Sequence, residues 1–119
     1  MNKQGIYKGE LWFKPDLKTV SGKINCINNL QAQNILVIDY ILPVHYILIY
    51  KKQPIAIIVG KGNMLSHATI IARELKIPLI FQSSFVKNFE NKKNIEIKID
   101  FIDNWGYIFV NQSKIIYHK

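Results

Sequence analysis

Cysteine and arginine occur once each in this sequence, as Cys26 and Arg73. A single cysteine excludes an internal disulfide and fits a reducing compartment. No histidine or acid stands beside Cys26 in a local thiol-catalyst pattern. A single arginine argues against dense bidentate readout of phosphate or guanine, which favours the guanidinium fork. Acids are scarce too, 8 against 16 Lys plus Arg, and the net charge is +8. Such a chain attracts anions: phosphate, nucleic acid, acidic lipid or an acidic partner face. Charge alone does not choose among them, although nucleic-acid binding would show affinity falling steeply with salt. A long apolar run is also missing. The most hydrophobic stretch, Ile35 to Tyr50, holds Asp39, Pro43 and His45 and falls short of the roughly 20 apolar residues of a spanning helix. Met1 to Lys14 has no apolar run of signal-peptide type. These absences predict a cytoplasmic protein with no membrane association.

Glycine and proline are few, with no linker, repeat or low-complexity tract, so residues 1–119 read as one domain. Its three histidines are scattered, and with one distant cysteine they show no metal-ligand spacing. His45 and His118 read as surface residues. Trp12 and Trp105 read as core or hairpin packing rather than as base-stacking platforms.

Half the residues are hydrophobic, 49%, enough for a real core. Strands are predicted at Ile6 to Phe13 and Val20 to Ile27. The β-branched runs Ile35 to Ile38 and Ile55 to Val59 read as strands covered on both faces. Pro43 to Lys52 is ambiguous: its isoleucines and tyrosines favour a strand, whereas Pro43 suits a helix start. The clearest helix runs from about His67 to Lys76. Ala68, Ile71, Ala72 and Leu75 form its apolar stripe, and Thr69, Arg73 and Lys76 are placed on the opposite, polar side. Pro78 ends it, and Leu79 to Phe81 is a short strand. Ser83 to Asn91 reads as a short helix. Ile95, Ile97 and Ile99 alternate with charged residues as a half-exposed strand. A turn at Asp103 to Gly106 sends Tyr107 to Val110 back antiparallel. The fold class is α/β with a mixed sheet.

Chemistry concentrates in one segment. Gly60-Lys61-Gly62-Asn63 leaves a buried strand and delivers Ser66 and His67 to a helix start. At roughly 100° per residue, His67 falls at the edge of the apolar stripe, so its ring need not be buried. Free N–H groups and the helix dipole make that end an anion site. A neutral imidazole is a nucleophile, and its ring nitrogen can attack phosphorus. Ser66 either caps the helix or bonds a phosphate oxygen; Thr69 either bonds phosphate or sits on the polar face. By itself, a lone histidine at a helix start is more often structural than catalytic.

The surrounding residues change that weighing. Ser66-His67-Ala68, Ala72-Arg73-Glu74 and Ile77-Pro78 stand in the register of a known signature. The segment resembles the phosphohistidine motif of the phosphoenolpyruvate-utilising enzymes, the mobile-domain family, which includes phosphoenolpyruvate synthase, pyruvate phosphate dikinase and the rifampin phosphotransferases. The resemblance runs roughly from Val20 to Val110 and tips Pro43 to Lys52 towards helix. It implies a swivelling β/β/α phosphohistidine domain with a mixed sheet, phosphorylated on His67. Ser66, Thr69, Arg73, Gly62 and Asn63 would support the site, with Arg73 facing away from His67 in a structural or docking role. Four positions depart from the family pattern: Asn63 replaces the second glycine of a pair, Val59-Gly60 stands where Thr followed by an acid is common, and Gln82 stands where Gly is usual. Asn tolerates left-handed angles, so the loop is expected to survive.

In larger members this domain moves between an ATP-grasp domain and a second substrate-binding domain, neither of which fits in 119 residues. The resemblance therefore implies a carrier acting in trans. It would bind no cofactor itself, and ATP or phosphoenolpyruvate, with Mg, would sit on an ATP-grasp-type or pyruvate-binding partner. The alternative is a non-catalytic interaction module that keeps the fold.

Overall fold

A computed structural model describes residues 5–110. The strands are β1 (Ile6–Phe13), β2 (Thr19–Asn25), β3 (Ile35–Ile38), β4 (Ala56–Val59), β5 (Leu79–Phe81), β6 (Glu96–Ile102) and β7 (Trp105–Val110). The helices are α1 (Tyr46–Lys52), α2 (His67–Leu75) and α3 (Ser83–Phe89). Pro43 does start a helical segment, first as a 3-10 turn, Pro43–His45, and then as α1. Proline presets the backbone angle there and has no N–H to lose. The second predicted strand stops short, because Ile27 enters a separate 3-10 turn, Ile27–Asn29.

The mixed sheet is present, and it closes. Among the described residues the strand order is β1-β5-β4-β3-β2-β6-β7 with β7 returning to β1. β2, β3, β4 and β5 run parallel; the other pairings are antiparallel. β1 makes closure possible by pairing with both β5 and β7, which leaves no open edge. Gly9 lies opposite Gly106 in that seam. A Cβ on Gly9 would stand 2.4 Å from Ile80 Cγ2, so the strands close over Ile80 only if this side chain is absent.

Alternation along the strands builds two cores. Ile35, Val37, Ala56, Ile58, Ile80, Ile99 and Ile108 face the barrel interior, where α3 adds Phe85 and Val86. Leu36, Ile38, Ile57, Val59 and Leu79 face outward, where α1 adds Ile49 and α2 adds Ala68, Ile71 and Ala72. All of β3 and β4 is therefore buried, as the unbroken apolar runs predict.

Gln82 explains its own presence. Its side-chain oxygen accepts from the N–H groups of Ser84 and Phe85 at the start of α3, and its amide donates to the Lys8 carbonyl. A glycine here could make none of these bonds. Lys76 ends α2 in the left-handed region, φ 57°. Its N–H bonds Arg73, and the Ile77 N–H bonds Ala72. That is a Schellman ending, where glycine is the usual residue.

Candidate functional site

The loop between β4 and α2 is anchored to the end of β3. The N–H groups of Gly60 and Lys61 bond the Asp39 carbonyl at 3.1 and 2.7 Å. Lys61 Nζ lies 3.1 Å from the Asp39 carboxylate. A Cβ on Gly60 would meet Asp39 Oδ1 at 2.6 Å. The Asp39 carboxylate thus occupies the space that a side chain at position 60 would need.

Gly62 carries the one left-handed angle of the loop, φ 113°. Asn63 does not adopt a left-handed angle, contrary to the role expected of it. Its side-chain oxygen accepts from the Leu65 N–H at 2.8 Å, and its carbonyl accepts from the Ser66 N–H at 2.9 Å. Asn63 therefore replaces a flexible residue with a hydrogen-bonded turn. Behind the loop stands Trp12, buried and stacked flat on Phe81 with ring centroids 4.9 Å apart.

Ser66 holds the N-cap position, φ −75° and ψ 170°, and its carbonyl accepts from the N–H groups of Thr69 and Ile70. Its side chain makes no capping bond. Among the described residues the Ser66 hydroxyl is buried without a hydrogen-bond partner, and so is the Thr69 hydroxyl. Thr69 is 3% exposed, which corrects its expected place on the polar side of the helix. The reason is tertiary: α2 packs against β1 as well as β5, so its buried face is wider than its apolar stripe.

His67 is the first residue of α2 and is exposed. The N–H groups of His67 and Ala68 have no acceptor among the described residues. Free donors at the positive end of a nine-residue helix can hold an anion. The His67 ring rests edge-on against Tyr46, with centroids 5.8 Å apart. Farther along the same two helices, the Tyr50 hydroxyl donates to the Glu74 carboxylate. α1 and α2 thus run side by side, with two tyrosines one turn apart meeting α2 at both ends.

Gly62, Asn63, Ser66 and His67 come together at the start of α2, with Thr69 beneath. Arg73 is exposed farther along the helix and makes no ion pair among the described residues. His45 Nδ1 accepts from the Leu42 N–H at 3.1 Å; His118 lies outside the described residues. Trp105 is partly exposed at the hairpin, with Lys8 Nζ 4.2 Å from its ring centroid. Tyr46 and Trp12 are the site neighbours that sequence reasoning missed. Tyr46 carried a signal, as an aromatic at the start of a proline-led helix, but nothing local says which histidine it meets.

Cys26 is partly exposed. Burial acts to raise its thiol, while the Asn29 amide and the backbone N–H groups of the following turn stabilise the thiolate and bring it below its ordinary value. Among the described residues no three His, Cys, Asp or Glu side chains gather to hold a metal ion. No described helix is long and apolar enough to cross a membrane.

Comparison with known proteins finds one family match. The model described as "PEP-utilising enzyme, mobile domain" matches residues 30–101. A search of curated proteins returns no match. The matched stretch holds β3, α1, β4, the His67 loop, α2, β5 and α3, and reaches into β6. With more than half of the chain matched, including every residue gathered at the start of α2, this protein belongs to the PEP-utilising enzyme mobile-domain family.

Proposed function

We propose that this chain is a phosphohistidine carrier, phosphorylated on a ring nitrogen of His67 and acting in trans. Related enzymes carry their phosphohistidine on this domain. The observation that carries the reading is the exposed His67 ring at the first residue of α2, beside two N–H groups without acceptors among the described residues.

In this reading a partner binds ATP or phosphoenolpyruvate, with Mg, and presents the phosphoryl group to His67. The lone pair of the ring nitrogen forms the N–P bond as the bond from phosphorus to the bridging oxygen breaks. The leaving oxygen keeps the electron pair, as ADP or as the enolate of pyruvate. The free N–H groups at the start of α2 offset the charge on the transferred group. The Ser66 and Thr69 hydroxyls are buried without a hydrogen-bond partner among the described residues, and Ser66, next to His67 in the chain, is the candidate to bond a phosphoryl oxygen. The domain then swivels or diffuses to an acceptor site, where the N–P bond breaks, its electron pair returns to the ring nitrogen, and phosphorus bonds the oxygen of enolised pyruvate, water or another small acceptor, whose proton passes to a base on the partner.

The test is intact-mass measurement after incubation with lysate of the protein's own cells and either donor. A phosphate-sized, acid-labile gain that disappears in His67→Ala is the expected result. A gain that survives His67→Ala sinks the assignment. No gain with either donor, in a lysate that still binds the chain, favours a non-catalytic interaction module.

A further inference from the structure

Hydrophobic side chains are left uncovered around His67. Met64 and Leu65 directly precede the Ser66-His67 pair, and Ile70 lies one turn after it. Val44 and Ile47 flank Tyr46, which touches His67. Leu65 is 92% exposed and Ile47 77%. Ile70 stands one turn from His67 on α2, and Met64, Leu65, Val44 and Ile47 each stand within three residues of one of the two rings that meet there. The chain entering α1 and the chain entering α2 therefore both leave apolar side chains exposed near the Tyr46–His67 contact. Exposed apolar residues are normal singly, but grouping around one functional side chain marks an interaction surface.

Charge says what covers it. Between Tyr40 and Pro78 the basic residues are Lys51, Lys52, Lys61, Arg73 and Lys76, and the one acid is Glu74. Glu74 accepts the Tyr50 hydroxyl, and Lys61 pairs with Asp39. Lys51, Lys52, Arg73 and Lys76 make no ion pair among the described residues. Lys51 follows Ile47 by one turn of α1, and Arg73 follows Ile70 on α2. The apolar group is thus bordered by unpaired positive charge. A second copy of a chain with net charge +8 would bring like charge to like charge.

We propose that this surface docks a partner protein whose contact face is an apolar depression, filled by Leu65 and bordered by carboxylates that meet Lys51, Lys52, Arg73 and Lys76. The inference rests on the carrier reading, since docking here brings a bound donor to His67. Leu65 is the anchor because it is the most exposed apolar side chain next to the imidazole. The basic border sets orientation and association rate more than holding strength.

The experiment places a photoreactive benzophenone amino acid at position 65, irradiates the chain in lysate of its own cells, and maps the cross-linked peptide by mass spectrometry. The expected product joins position 65 to one protein, at apolar residues flanked by Asp and Glu. Its yield falls about tenfold or more between low and high salt, as screening of exposed charges requires, and falls likewise when Lys51→Glu and Arg73→Glu are combined. Cross-linking to a second copy, to lipid, to a face without carboxylates, or to nothing overturns the proposal, as does a yield indifferent to salt. His67→Ala separates the two readings, because it removes phosphorylation and leaves the cross-link. A mapped cross-link on a chain that is never phosphorylated would sink the carrier reading alone.

Discussion

Tyr46 meets the ring of His67 edge-on, at 5.8 Å between centroids and 71° between planes, so one side of the exposed imidazole is fixed by a residue from the preceding helix. A ring held on one side has fewer orientations in which to meet a donor. Edge-to-face aromatic contacts are worth roughly 0.5–1.5 kcal/mol, or about two- to tenfold in rate. Tyr46→Ala is expected to slow partner-dependent phosphorylation of His67 by about that factor. Tyr46→Phe, which keeps the ring and loses the hydroxyl, restores the rate. Equal initial rates in all three proteins, measured by intact mass, would remove Tyr46 from the site.

The bond from Tyr50 to Glu74 has a pH signature. Donation to the carboxylate stabilises the neutral phenol, so Tyr50 is raised above its ordinary value, with burial and the negative charge of Glu74 acting in the same direction. A group raised on folding contributes fully below its unfolded value near 10.0 and loses that contribution as pH rises through the folded value. The α1–α2 contact is therefore expected to weaken only in strongly alkaline solution. Phenolate absorbance should show Tyr50 titrating late. Glu74→Ala should bring it back towards ordinary tyrosine, and Tyr50→Phe should remove the late component altogether.

Lys76 occupies a backbone conformation that costs a residue with a Cβ roughly 1–2 kcal/mol. Lys76→Gly is expected to stabilise the fold by about 0.5–1 kcal/mol, the relief being partly offset by a freer unfolded chain. The melting temperature should rise by a few degrees. Lys76→Ala keeps the Cβ and should gain nothing. A fall on Lys76→Gly would mean that the lysine side chain, rather than its backbone angle, matters here.

Gly9 tests barrel closure. A methyl group there collides with Ile80 Cγ2 at 2.4 Å and with the Phe81 carbonyl at 2.9 Å, and the backbone oxygen cannot swing aside. Gly9→Ala is expected to cost about 3 kcal/mol, at the upper end of ordinary overpacking. Denaturant melts should show an early midpoint. A wild-type midpoint would mean that β1 does not close on β5 as described.

Much of this molecule is legible in its residues taken a few at a time. The unbroken runs at Ile35–Ile38 and Ala56–Val59 announce strands buried on both faces, because no polar residue interrupts them. Pro78 limits α2, and the alternation from Ile95 onward yields β6. The segment from Gly62 to Pro78 identifies the family and places an exposed histidine at a helix start. Thr69 went astray because helical phase measures only the width of the apolar stripe, whereas burial depends on how many strands the helix lies across. Asn63 went astray because its side chain solves the turn by hydrogen bonding instead of by an unusual backbone angle.

The sequence by itself determined which reactive side chains stand near position 67, the periodicity of each element and the excess of positive charge, since these are properties of neighbouring residues. Tertiary structure alone decided the closure of the barrel through β1, the Asp39 carboxylate filling the space beside Gly60, and the meeting of Tyr46 with His67. Each of these joins segments far apart in the chain. Their contact depends on strand order and register, which no local run of residues encodes, because pairing energy is gained only when the distant partner arrives in place.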